Sequence, residues 1–130
     1  WPCHGIEHEV SAWYDITHGV GLAIITPHWM AYSLKANPAV VAPRLAQYGV
    51  NVLGLNPADG VEVNAKKAIE KTAEFFRSIG ITQTLKDFGI DDTHFDEMAD
   101  HVAKAWFGDF STAIAPLDHK AVVEILKASL

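Results

Sequence analysis

The chain has 130 residues, 49% apolar and 20% charged, and a formal net charge of −6. One domain of that size can bury a hydrophobic core without disulfides, and the balance is that of a soluble globular protein. No run of Lys or Arg is longer than Lys66-Lys67. Nucleic acid and anionic membranes are therefore not expected as partners, because either demands a basic face.

A single cysteine, Cys3, rules out an intrachain disulfide and fits a reducing compartment, so a cytoplasmic protein is expected. The longest apolar run, Val20 to Ile25 within Gly19–Met30, is interrupted by Pro27 and is too short to span a bilayer. The N-terminus has no basic leader, no leader-like apolar stretch and no initiator Met. No signal peptide is expected, and Trp1 reads as the point where a longer chain was cut.

Helical spacing runs through the sequence, and no convincing alternation of apolar and polar residues predicts a strand. Residues 2–14 form the first predicted helix, and Asp15-Ile16-Thr17 breaks it, with Thr17 as N-cap of the next. His18–Thr26 is apolar nearly all round, as in a helix buried on most sides. Pro27 suits the first turn of a following or kinked helix reaching about Lys35. Asn37-Pro38 starts another, with Val41, Leu45, Tyr48 and Val52 recurring until Gly54, and Asn56 to Gly60 is rich in turn formers.

Residues 61–79 carry an inner stripe of Ala65, Ile69, Thr72, Phe76 and Ile79, with Lys66, Glu70, Lys71 and Glu74 outside, and Gly80 stops the helix. A short segment at Thr84–Phe88 leads to Gly89. Asp91 or Asp92 caps a helix with Phe95, Met98, Val102 and Trp106 inside. Gly108 to Pro116 is a loop. Asp118 caps a final helix with Val122, Val123, Leu126 and Leu130 inside. The expected fold is all-α, one domain of six to seven helices.

The chemistry concentrates in Cys3-His4-Gly5-Ile6-Glu7-His8-Glu9 and Asp15-Ile16-Thr17-His18-Gly19. His4 and His8 are four residues apart and share a helix face. Ile6, Val10 and Trp13 fall opposite, and Ser11 and Ala12 lie beside the histidines, small enough to leave room for an ion. Spacing alone is served as well by a solvated face. His18 tips the balance: it opens an apolar helix, where a merely solvating histidine is not needed. The positive end of the helix dipole there disfavours imidazolium, and a metal ligand must be neutral imidazole. His4-x-x-Glu7-His8 also fits the inverted zinc-peptidase pattern H-x-x-E-H, in which the glutamate is a general base. That reading needs a third ligand, Glu97 or Glu124. Cys3 points toward the packing face and reads as a small buried thiol.

The stretch Cys3–Ala12, continued by Tyr14-Asp15-Ile16-Thr17-His18-Gly19-Val20-Gly21-Leu22-Ala23-Ile24, resembles the signature of the iron-dependent (group III) alcohol dehydrogenases, in particular their NAD(P)H-dependent butanol dehydrogenase branch. Phe75-Phe76-Arg77-Ser78-Ile79-Gly80-Ile81, Leu85, Gly89-Ile90 and Pro116-Leu117-Asp118 extend the similarity to the C-terminus.

The resemblance implies that residues 1–130 are part of a C-terminal metal-binding helical domain, with the α/β dinucleotide-binding domain absent from this chain. It implies that His4 and His18 hold a divalent metal, usually iron (Fe2+) and sometimes zinc (Zn2+). His8 would stand near the nicotinamide of NAD(P)H and the substrate as a proton relay or, alternatively, support the metal site from behind. An Asp and a further His, the remaining ligands, have no counterpart here. The implied activity interconverts primary alcohols such as butanol with aldehydes.

The Gly108-Asp109-Phe110-Ser111-Thr112 loop departs from the family's usual Asn-Pro-Arg, so no substrate contact is assigned to it. Two imidazoles make an incomplete coordination sphere, so the isolated chain is expected to be inactive and to bind divalent metal weakly or not at all. Apolar surface near the N-terminus would favour a homodimer. The competing class is a non-enzymatic helical interaction module.

Overall fold

The computed structural model describes residues 2–105 and 113–130. They form six α-helices with no strand among the described residues: α1 (Pro2–Tyr14), α2 (His18–Ala36), α3 (Pro38–Leu53), α4 (Val61–Ser78), α5 (Phe95–Ala105) and α6 (His119–Ala128). Short 3-10 turns at Pro57–Asp59, Leu85–Phe88 and Asp92–His94 link the later helices. The all-α expectation holds. Trp106 and the loop residues 108–112 lie outside the described residues.

Helix α1 buries Cys3, Ile6 and Val10 on one side, at helical spacing, against α2 and α5. Half-buried Trp13 stacks on His94 at 4.5 Å between ring centres and ties α1 to the turn before α5. The helix ends where Asp15 takes φ of 52°, a left-handed conformation that a short polar side chain tolerates. Ile16 then plugs into the core, and α2 starts at His18. Thr17 occupies the expected N-cap position, but its side chain accepts no capping hydrogen bond.

Helix α2 does not restart at Pro27. It runs unbroken for 19 residues to Ala36, with Pro27 in its interior. Proline costs a helix one N–H bond, and here apolar burial on most sides outweighs that loss: Ala23, Ile24 and Ile25 are in the core and Trp29 and Tyr32 pack against it.

Helices α3 and α4 form the most extensive pair. Their contact is built from small residues. A Cβ on Gly49 would meet Leu55 Cδ1 at 2.7 Å and Ala68 Cβ at 3.2 Å. This close approach turns the inner stripe of α3 toward Ala42, Ala46 and Gly49, which leaves Val52 68% exposed instead of inside. On α4 the stripe is Asn64, Ala65, Ala68 and Thr72. Ile69 and Phe76 are half-buried, and Ile79, one residue beyond the helix end, is 58% exposed.

Phe95, Met98, Ala99 and Val102 of α5 and Val122, Ile125 and Leu126 of α6 close the larger core. Val123 is half-buried and packs against that core, and Ile125 is buried in it. Asp91 caps the turn before α5 by accepting from Thr93 N–H at 3.0 Å, and Asp118 caps α6 by accepting from Ala121 N–H at 2.8 Å. Asn37 sits at the α3 N-cap position, but its side chain donates instead to the Ile114 carbonyl at 2.9 Å.

Candidate metal centre

The turn at Asp15–Thr17 folds α2 back onto α1 and lays the first residue of α2 beside the polar face of α1. His4 and His8 come from α1, one turn apart, and His18 comes from the start of α2. Their rings converge. The ring centres lie 5.6 Å apart for His4 and His18, 5.1 Å for His8 and His18, and 6.4 Å for His4 and His8. All three side chains reach the surface, and that of His18 is 47% exposed. One open face of the molecule therefore carries three imidazoles, backed by the apolar packing of Ile6 and Val10.

Between this face and the core sits Glu7, 0% exposed. A buried carboxylate is costly unless paired, and both oxygens of Glu7 are engaged. Oε2 meets Nδ1 of His18, and Oε1 accepts from the Ser11 hydroxyl. Ser11 Oγ also lies 3.1 Å from the Ile16 carbonyl, which joins the pair to the turn. Gly21, on α2, leaves the space that the Glu7 side chain fills.

Glu7, His8 and His18 each offer a donor atom within 4.8 Å of the others, a grouping that suits a small divalent cation. His4 stands outside that group as its side chain is placed, although its ring faces the same opening. A cation cannot sit between Glu7 and His18 while those two groups contact each other directly. The His18 nitrogen left for an ion is Nε2, and the rings of His4 and His8 lie close to this imidazole. Imidazole nitrogens backed by one carboxylate are a donor set that iron or zinc accepts.

The peptidase pattern fails on the same residue. A general base must reach water, and Glu7 is enclosed and already bonded. Of the third ligands that pattern would need, Glu97 pairs with His94 and Glu124 with Lys35, both on the surface. Cys3 is buried as expected and bonds Thr26 Oγ1 at 3.3 Å. Burial pushes its thiol pKa up, as befits a small buried thiol.

The sequence reading missed the carboxylate behind His18. Its signal was present: on a helical wheel Glu7 and Ser11 fall between the histidine face and the packing face, one turn apart. Among the described residues, no large hydrophobic side chain near the N-terminus is exposed. The exposed large hydrophobic residues lie further along, among them Val40, Val52, Val61, Phe75 and Ile79.

Residues 1–130 match the C-terminal model of the Fe-containing alcohol dehydrogenase family. The chain belongs to that family. It is 41% identical over 130 residues to NADH-dependent butanol dehydrogenase A of Clostridium acetobutylicum, an alignment covering 99% of this chain and 32% of that protein. It is 36% identical over 101 residues to 1,3-propanediol dehydrogenase of Klebsiella pneumoniae, covering 78% of this chain and 25% of that one. The crystal structure of NADH-dependent butanol dehydrogenase A from Thermotoga maritima superimposes with a TM-score of 0.81 at 34% identity, over 99% of this chain and 32% of that one. The chain thus spans about a third of the length of the relatives it matches. No described helix is long and apolar enough to cross a membrane.

Proposed function

We propose that this chain is part of the C-terminal metal-binding helical domain of an NAD(P)H-dependent alcohol dehydrogenase that interconverts primary, butanol-like alcohols and aldehydes. The observation that carries the reading is the convergence of His4, His8 and His18 on one open face. Butanol and propanediol dehydrogenases among the relatives support the substrate class. In this reading the α/β dinucleotide-binding domain, an Asp ligand and a further His ligand come from outside these residues.

His4 and His18 are the ligands this chain supplies to a divalent cation, Fe2+ first and Zn2+ as the alternative. When bound, the cation supplies Lewis-acid polarisation of the substrate oxygen, and the nicotinamide gives or takes the hydride. His8, exposed beside the ring of His18, holds or passes a proton between the substrate hydroxyl and water at the nicotinamide side. A cytoplasmic homodimer completes the reading. The apolar residues available for such an interface lie on α3 and α4.

The test uses the full-length protein that carries this chain. His4→Ala and His18→Ala are expected to lose bound iron or zinc and to lose NADH oxidation with butyraldehyde. His8→Ala is expected to keep the metal and lower kcat by roughly 10²–10⁴-fold, the usual worth of general acid–base catalysis. Metal retained at the wild-type stoichiometry in both ligand variants would sink the assignment.

A further inference from the structure

We infer that Glu7 is the positioning residue for His18: it accepts the Nδ1–H of that imidazole, fixes its tautomer, and aims Nε2 at the open face. The inference rests on the metal-site reading above and goes beyond it, because it assigns a role to a residue that is neither a ligand nor a proton relay.

Three observations carry it. First, Glu7 Oε2 meets Nδ1 of His18, so the ring nitrogen left for an ion is Nε2. A neutral imidazole has one donor and one acceptor nitrogen. Held with Nδ1–H toward a carboxylate, the ring must present the lone pair of Nε2, the form a divalent cation requires. Second, Glu7 is itself held. Its other oxygen accepts from Ser11, and Ser11 is anchored toward the turn that delivers His18. Third, the cavity for the side chain exists because residue 21 lacks a Cβ, which would lie 2.8 Å from Glu7 Cγ.

The alternative, Glu7 as a direct ligand, conflicts with this arrangement. Both of its oxygens are occupied, and it lies beneath the imidazoles with no exposed surface. Histidine ligands generally donate their second N–H to a carboxylate or carbonyl, and removing that partner typically lowers metal affinity by 10–100-fold.

The test again uses the full-length protein. Glu7→Leu removes the acceptor while filling the space, and Glu7→Gln keeps an acceptor oxygen without the charge. We expect Zn2+ affinity, measured by competition with a chelator, to fall about 10–100-fold in Glu7→Leu and less in Glu7→Gln. In metal-free, ¹⁵N-histidine-labelled protein, His18 should be the Nδ1–H tautomer in the wild type and should revert toward the Nε2–H form in Glu7→Leu. A purely structural role would not move that tautomer. If Glu7→Leu does not fold, Glu7→Gln and the wild-type tautomer still decide. A wild-type His18 in the Nε2–H form, or affinity within twofold of wild type in both Glu7 variants while His18→Ala loses metal, overturns the positioning role alone. Full metal affinity in His4→Ala and His18→Ala overturns the site reading and the positioning role with it.

Discussion

Gly21 and Glu7 meet across the α1–α2 interface so closely that a methyl group on Gly21 would lie 2.8 Å from Glu7 Cγ. The contact joins a helix that carries two of the histidines to the helix that carries the third. Gly21→Ala should therefore act as an overpacking change, destabilising the fold by about 1–3 kcal/mol and displacing the Glu7 carboxylate. Gly19, two residues earlier, has nothing within 4 Å of where its Cβ would be. Gly19→Ala should be neutral or stabilising by about 0.4–1 kcal/mol, because it restricts only the unfolded chain. Urea unfolding of the two variants side by side checks the pair, and equal effects would contradict the packing described.

The end of the domain depends on one cap. Asp118 accepts from Ala121 N–H at 2.8 Å and starts α6, which contributes Val122, Ile125 and Leu126 to the core. Asp118→Ala should cost about 1 kcal/mol, and Asp118→Asn should recover most of it. The measurement is the denaturant midpoint. An alanine variant as stable as the wild type would show that packing alone starts this helix.

His28, half-buried on α2, has its pKa lowered from the ordinary 6.5 by burial. The folded state thus holds this imidazole neutral where the unfolded chain would protonate it. The sign follows from proton counting. The unfolded state binds more protons between the folded pKa and 6.5, so stability rises with pH across that window. His28 contributes no penalty above about pH 7, and stability falls as the pH drops below 6.5 toward the folded value. His28→Phe should flatten that part of the Tm-versus-pH profile while leaving the alkaline side unchanged.

The isolated chain holds only part of a coordination sphere. In the proposed reading His4 and His18 supply two nitrogens, and the Glu7 carboxylate is turned to Nδ1 of His18. Calorimetric titration of the 130-residue chain with Zn2+ or Fe2+ at neutral pH should show weak binding or none. Tight one-to-one binding abolished by His4→Ala would mean that His8 or Glu7 completes a site without outside help.

Much of this molecule was legible in the residue order. Ile6 and Val10 opposite His4 and His8, and Phe95, Met98 and Val102 on α5, follow from helical periodicity alone, and all five apolar residues are buried. Asp91 and Asp118 cap as their positions predict. The misses have a common physical cause. Val52 lies on a wheel whose rotation is set by a neighbour, the small-residue contact at Gly49. Of the two expectations for Pro27, a new start or a kink, only the new start fails, because burial continues along the whole helix. The sequence singles out Glu7 only as the general base of the peptidase pattern, because a charged residue next to histidines is expected to meet water. Only the return of α2 shows that its surroundings are closed and that its partner is eleven residues away.

The left-handed residue at Asp15 has a consequence for how this protein can vary. It reverses the chain in three residues, so the fourteen-residue interval from His4 to His18 acts as a gauge length. One residue inserted between His8 and Tyr14 would swing both α1 imidazoles about 100° around the helix axis relative to the reversal. The walls of the opening can change residue by residue, whereas the distance along the chain between its two sides has almost no tolerance.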